Sequence, residues 1–151
     1  MKNLIVLVAL LLTTTTVKSQ PQEIKNFVNE YKAIANFVES MYDVPAEITL
    51  AVAALESGWG TSKAARINNN LFGIVNGRKK FDTKEDCFLY FGRLLSGNTG
   101  NAYLTKRYKP MKNCKHWREW AIGLYTCGYN PYEWYPGKVV RVVLSLDDLI
   151  Q

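Results

Sequence analysis

Apolar residues recur at Ile24, Phe27, Val28, Tyr31, Ile34, Ala35, Val38, Met41 and Tyr42 in steps of three and one. That spacing predicts an amphipathic helix. Pro45 interrupts it and predicts a second helix starting nearby, since proline is tolerated in a first helical turn. The second helix differs in kind. At about 100° per residue, Ala51, Val52 and Leu55 lie within about 60° of Ile48, and the far side is largely alanine. A helix apolar nearly all round is expected to be central and buried. Gly58 then stands where a left-handed helix stop commonly sits.

Further along, "TSKAARI" over 61–67 predicts a short helix capped by Thr61 or Ser62. In the "NNNLFGIVNGRKKF" that follows, Asn76 and Gly77 suggest a turn between two short extended pieces. Thr83 with Asp86 resembles a capping box, although Glu or Gln is the usual third residue. It opens a helix carrying Cys87, Phe88, Tyr90, Phe91, Leu94 and Leu95. Residues 96–113, rich in Gly, Asn and Lys, are expected to be loop. Asn113 is a candidate cap for a helix to about Cys127, with Trp117, Trp120, Ala121, Leu124 and Tyr125 inward. "GYNPYEWYPGK" is an aromatic loop, and Pro136 opens a last helix through Leu144. The fold class expected is mostly α, with at most a tiny hairpin near 72–82.

The chain of 151 residues is long enough for one domain with a proper core. Its start changes the count. Lys2, then "LIVLVALLL", then the small and polar "TTTTVKSQ" form a secretory signal pattern, too short for a spanning helix of about 20 residues. Cleavage is expected after Ser19, leaving 20–151 as the working domain, secreted or periplasmic and monomeric. A retained amphiphilic anchor is the alternative; a lipoprotein is disfavoured because no cysteine stands at the cut. Without Lys2 and Lys18, 17 basic residues face 13 acidic ones, so the net charge falls from +6 to +4. Such a balance suits approach to an anionic polymer. Nucleic acid is disfavoured, because the basic residues are scattered and "GRKK" at 77–80 is the only cluster. Cys87, Cys114 and Cys127 make an odd count from which no pairing follows. The single histidine, His116, has no ligand partners at metal spacing, so neither metal nor other cofactor is expected.

One acid stands apart. From Ile48 to Ser62, Glu56 is the only ionisable side chain. In the last turn of a helix it meets the negative end of the dipole, and burial beside Leu55 and Trp59 would disfavour its charge. Both effects raise its pKa, the direction that a general acid needs. The plainer reading is a helix that ends in a solvated glutamate.

The stretch "ALESGWGTSKAARINNNLFGI" over 54–74 resembles the glucosaminidase-type peptidoglycan hydrolases. This group includes bacterial autolysins and the wall-cutting domain of the flagellar rod protein, within the lysozyme-like superfamily. Its pattern, Ala-x-x-Glu-Ser-Gly-Trp-Gly and then Asn-Leu-Phe-Gly-Ile, is matched by Ala53, Glu56, Ser57, Gly58, Trp59 and Gly60, and by Asn70, Leu71, Phe72, Gly73 and Ile74. A second match aligns "GYNPYEWYPGKV" with Gly-Tyr-Ala-Thr-Asp-Pro-x-Tyr-Ala-x-Lys-Ile. It places Tyr129 and Tyr135 on the two tyrosines and Lys138 on the lysine, while the middle departs from the pattern. The resemblance implies a lysozyme-like domain with Glu56 as catalytic acid and Tyr129 beside the reacting sugar. Trp59, Asn70, Phe72 and Tyr135 are expected at the substrate, although Trp59 and Asn70 also have packing and turn-forming roles open to them. Many family members carry a longer β-hairpin lobe with a second carboxylate. Here only Val75–Phe81 separate Ile74 from Asp82, and none of them is acidic, so a reduced lobe is expected. Asp82 and Glu85 are the nearest candidates for a second carboxylate; Asp86 already has a capping role.

These residues imply a secreted endo-β-N-acetylglucosaminidase that acts on peptidoglycan strands. With no second acid evident, the 2-acetamido group of GlcNAc is expected to assist the chemistry, with retention of configuration. Two alternatives stay open: a lytic transglycosylase giving anhydromuramic ends, and a wall-binding module without turnover.

Overall fold

The computed structural model describes residues 21–150; the signal segment expected over 1–19 lies outside the described residues. Helices α1 (Gln22–Tyr42), α2 (Ala46–Ser57), α3 (Lys63–Asn68), α4 (Lys84–Leu95), α5 (Ala102–Tyr108), α6 (Trp117–Thr126) and α7 (Tyr135–Ile150) follow one another. A 3₁₀ turn over Lys109–Asn113 lies between α5 and α6. Helix α2 is the hub, packing against α1 and α7 and also touching α4 and α6. Ile48, Leu50, Ala51, Val52 and Ala53 are all fully buried, as its all-round apolar surface predicts. Gly58 ends it in the left-handed conformation, φ 55°.

Helix α1 lays Phe27, Val28, Tyr31, Ala35 and Val38 on the core, while Met41 is exposed. It meets α4 closely at Gly92, where an added Cβ would stand 2.5 Å from the Tyr42 ring. That approach explains a glycine inside a helix. Thr83 and Asp86 form the capping box reciprocally. Lys84 adds an ion pair of 2.8 Å to Glu30 of α1.

Four expectations need correction. No strand forms among the described residues, so the hairpin near 72–82 is instead a coil of turns. Val75 and Asn76 both have left-handed φ, and Asn70 donates to the carbonyls of Ile74 and Lys79. These bonds and the local turns take up the carbonyls of Gly73, Ile74, Val75 and Lys79 that a ladder would use. The expected loop over 96–113 holds α5, capped by Asn101, and the 3₁₀ turn, anchored by buried Tyr108 and Met111. Finally, α6 is capped by the exposed His116 rather than Asn113, and α7 runs past Leu144 to Ile150. All three cysteines are free. Burial pushes the Cys87 thiol up to about 11.

Candidate active site

The end of α2 is a built structure. The hydroxyl of buried Ser57 donates to the carbonyl of Ala53 at 2.5 Å and accepts from the amide of Gly60 at 2.8 Å. It thus ties the last helical turn to the Gly-Trp-Gly reversal. Trp59, at φ 57°, packs edge-on against Phe27 of α1 with centroids 5.5 Å apart. This serine clamp holds Glu56 in the final turn, and its role was not visible in the pattern alone.

Glu56 lines a cleft of about 530 Å³ with Gly73, Ile74, Tyr108, Tyr129 and Tyr132 among its walls. Its two carboxyl oxygens have different surroundings. Oε1 accepts a hydrogen bond of 2.7 Å from the hydroxyl of Tyr135. Oε2 faces Gly73, where an added Cβ would stand 3.1 Å away. Gly73 also has φ 64°, so a side chain there would be strained as well as crowded. Burial raises the Glu56 pKa above the ordinary carboxylate value, and the Tyr135 bond opposes this in part. Desolvation wins because the hydrogen bond compensates only one of the two oxygens.

The tyrosines divide the labour. Tyr135, buried at the start of α7, is the one that touches Glu56. Its phenol is pushed far above its usual range by burial and by the neighbouring carboxylate, so it stays a neutral donor. Tyr129 shares the cleft wall but donates instead to the backbone carbonyl of Phe72, at 2.8 Å. Burial likewise holds its phenol protonated. The carbonyls just before Tyr129 are gripped by Arg107 of α5, whose Nε donates to that of Cys127 at 2.6 Å and whose Nη2 donates to that of Gly128. The loop reading of 96–113 hid this clamp.

Two of the residues expected at substrate are occupied elsewhere. Asn70 is 1% exposed. Its amide nitrogen serves the carbonyls of Ile74 and Lys79, and its oxygen takes the amide of Ile74. Phe72 lines the cleft, but its ring is buried and stacks on Phe91 at 4.1 Å. Asp82 and Glu85 are exposed and do not join Glu56, which is the only carboxylate in the cleft wall among the described residues. No cluster of His, Cys, Asp and Glu suited to a metal occurs among them either.

A family model described as "Glucosaminidase: Mannosyl-glycoprotein endo-beta-N-acetylglucosaminidase" matches residues 32–148. The exo-glucosaminidase LytG of Bacillus subtilis is 28% identical over 92% of this chain, which spans 60% of that protein's length. Among solved structures, the catalytic domain of the autolysin Auto from Listeria monocytogenes superposes with a TM-score of 0.72 at 22% identity. That match covers 87% of this chain and 89% of the other. A C-terminally truncated glycoside hydrolase domain of FlgJ from Salmonella typhimurium gives 0.66 at 21% identity, over 83% and 99% of the two chains. These two likenesses show the fold; the family model carries the assignment. The chain belongs to the glucosaminidase family.

Proposed function

We propose that this chain hydrolyses the β-1,4 bond from GlcNAc to MurNAc in peptidoglycan, with Glu56 as general acid and then general base. The observation that carries this reading is the asymmetric setting of the carboxyl group. Tyr135 donates to Oε1, which makes Oε1 the acceptor of the neutral acid and leaves the proton on Oε2, beside Gly73 in the cleft. A raised pKa keeps that proton in place until the bond to the leaving oxygen stretches.

The proton passes from Oε2 to O4 of MurNAc as the C1–O4 bond breaks. The developing positive charge at C1 of GlcNAc is met by its own acetamido oxygen, since no second carboxylate shares the cleft wall among the described residues. Water then attacks C1 and gives its proton to the Glu56 carboxylate, so configuration is retained. Tyr129 remains a candidate for holding the acetamido group, with its hydroxyl anchored on Phe72. The chain acts outside the cytoplasm in this reading, after removal of 1–19.

The test is the chemistry of product ends from purified wall. Reducing GlcNAc ends from the parent and none from Glu56→Gln are expected; anhydromuramic ends would replace hydrolysis by transglycosylation. The family description says endo and the name of LytG says exo. Long early fragments would favour interior cuts in this chain, and early release of small sugars would favour terminal ones. The mass of the protein exported by the native host tests cleavage after Ser19.

A further inference from the structure

Tyr132 and Trp134 are 55% and 52% exposed, yet their rings lie parallel to within 9° with centroids 5.0 Å apart. Scattered apolar side chains at a surface need no explanation. This pair is different because it is fixed. Asn130 Oδ1 accepts the amide of Tyr132 at 3.1 Å, Pro131 restricts the backbone, and the amide of Tyr135 donates to the carbonyl of Tyr132 at 3.0 Å. The Lys138 ammonium sits 4.5 Å from the Trp134 centroid. Phe37 and Tyr103 are also exposed, but neither has a stacked ring among the described residues.

Position gives the pair its meaning. Tyr132 lines the same cleft as Glu56, and the Trp134 ring lies 6.3 Å from that of Tyr135, whose hydroxyl holds the acid. One short turn therefore carries both the acid's hydrogen-bond donor and a flat, wet aromatic surface. Pyranose rings offer C–H faces to such a surface and hydroxyls to the water around it. We propose that Tyr132 and Trp134 form a stacking platform at the cleft rim for a sugar ring of the glycan strand next to the pair being cut. The stacked arrangement spares the platform the cost of ordering two free side chains on binding. The platform rests on the reading of the cleft as a glycan-cutting site and adds to it a second place of contact.

The experiment compares the parent, the Tyr132→Ala/Trp134→Ala double variant and the Tyr132→Phe/Trp134→Phe variant on purified wall, with Glu56→Gln as the non-cutting background for binding. In that background the alanine pair is expected to lower co-sedimentation with wall by about tenfold, the scale of one aromatic contact. The phenylalanine pair keeps most of it. In the cutting background, KM rises by a similar factor and kcat falls less. Soluble glycan fragments shift the tryptophan fluorescence of Glu56→Gln, and Trp134→Ala removes that shift. Unchanged binding and KM in a folded alanine pair would overturn the platform while leaving the cutting reading intact. A parent that leaves wall uncut and unbound, yet shows the Trp134-dependent shift with chitin oligomers, would overturn the wall reading and keep the platform.

Discussion

Tyr135 and Glu56 stand 79 positions apart in sequence, and a 2.7 Å hydrogen bond joins them where α7 begins and α2 ends. The bond lowers the Glu56 pKa while burial raises it more, so the pair sets both the location and the strength of the acid.

Removing the hydroxyl should therefore move the acid in an unusual direction. In Tyr135→Phe the lowering influence is gone and desolvation remains, so Glu56 keeps its proton to higher pH. The alkaline limb of the pH–rate profile is expected to shift upward, while kcat at the optimum falls roughly 10- to 100-fold from lost orientation. A full profile of kcat against pH reads both, and a downward shift would contradict the assignment.

Glu56→Gln separates chemistry from stability. Activity is expected to fall roughly 10²- to 10⁴-fold. Because the folded pKa is raised above the unfolded value, the folded state binds more protons between the two. Native Glu56 thus costs stability as pH climbs through that window. The variant should melt higher than the parent at neutral pH, with the gain shrinking as pH falls through that window and gone below the ordinary carboxylate pKa near 4.5. Thermal melts across pH check the sign.

Gly73→Ala places a Cβ 3.1 Å from Oε2 at φ 64°. The backbone strain alone should cost about 1–2 kcal/mol, and the methyl group crowds the oxygen to which the proposed mechanism assigns the proton. Urea unfolding measures the first effect. A drop in kcat larger than any rise in KM marks the second.

Asn70→Ala leaves the amide of buried Ile74 and two carbonyls without their side-chain partner. A loss of roughly 2–4 kcal/mol is expected, read from the urea midpoint. Asn70→Asp keeps the acceptor for Ile74 but loses both donations, so it should destabilise as well.

Helix α2 was legible because an apolar surface on every side has only one home, the centre, and Gly58 marked its end. The capping box at Thr83 was legible because side-chain chemistry at a helix start is local. The stretch 96–113 was not: α5 buries little beyond Tyr108, so hydrophobic spacing is silent, and only the Asn101 cap with Lys106 and Arg107 in the last turn hinted at a helix. Asn76 and Gly77 suggested a hairpin, but the hydrogen bonds that dissolve it come from Asn70, several residues away. The motif named both Tyr129 and Tyr135. Which of them reaches the acid depends on how α7 packs against α2, a relation between distant segments that no short pattern records.

One buried thiol offers a reporter of the core. Cys87, Cys114 and Cys127 are joined to nothing, and the burial that pushes the Cys87 thiol up to about 11 keeps it from becoming a reactive thiolate. Cys87 is fully buried, so a thiol reagent should leave it unlabelled in the folded protein and reach it only when the core opens, which makes its labelling rate a gauge of how often α4 parts from its neighbours.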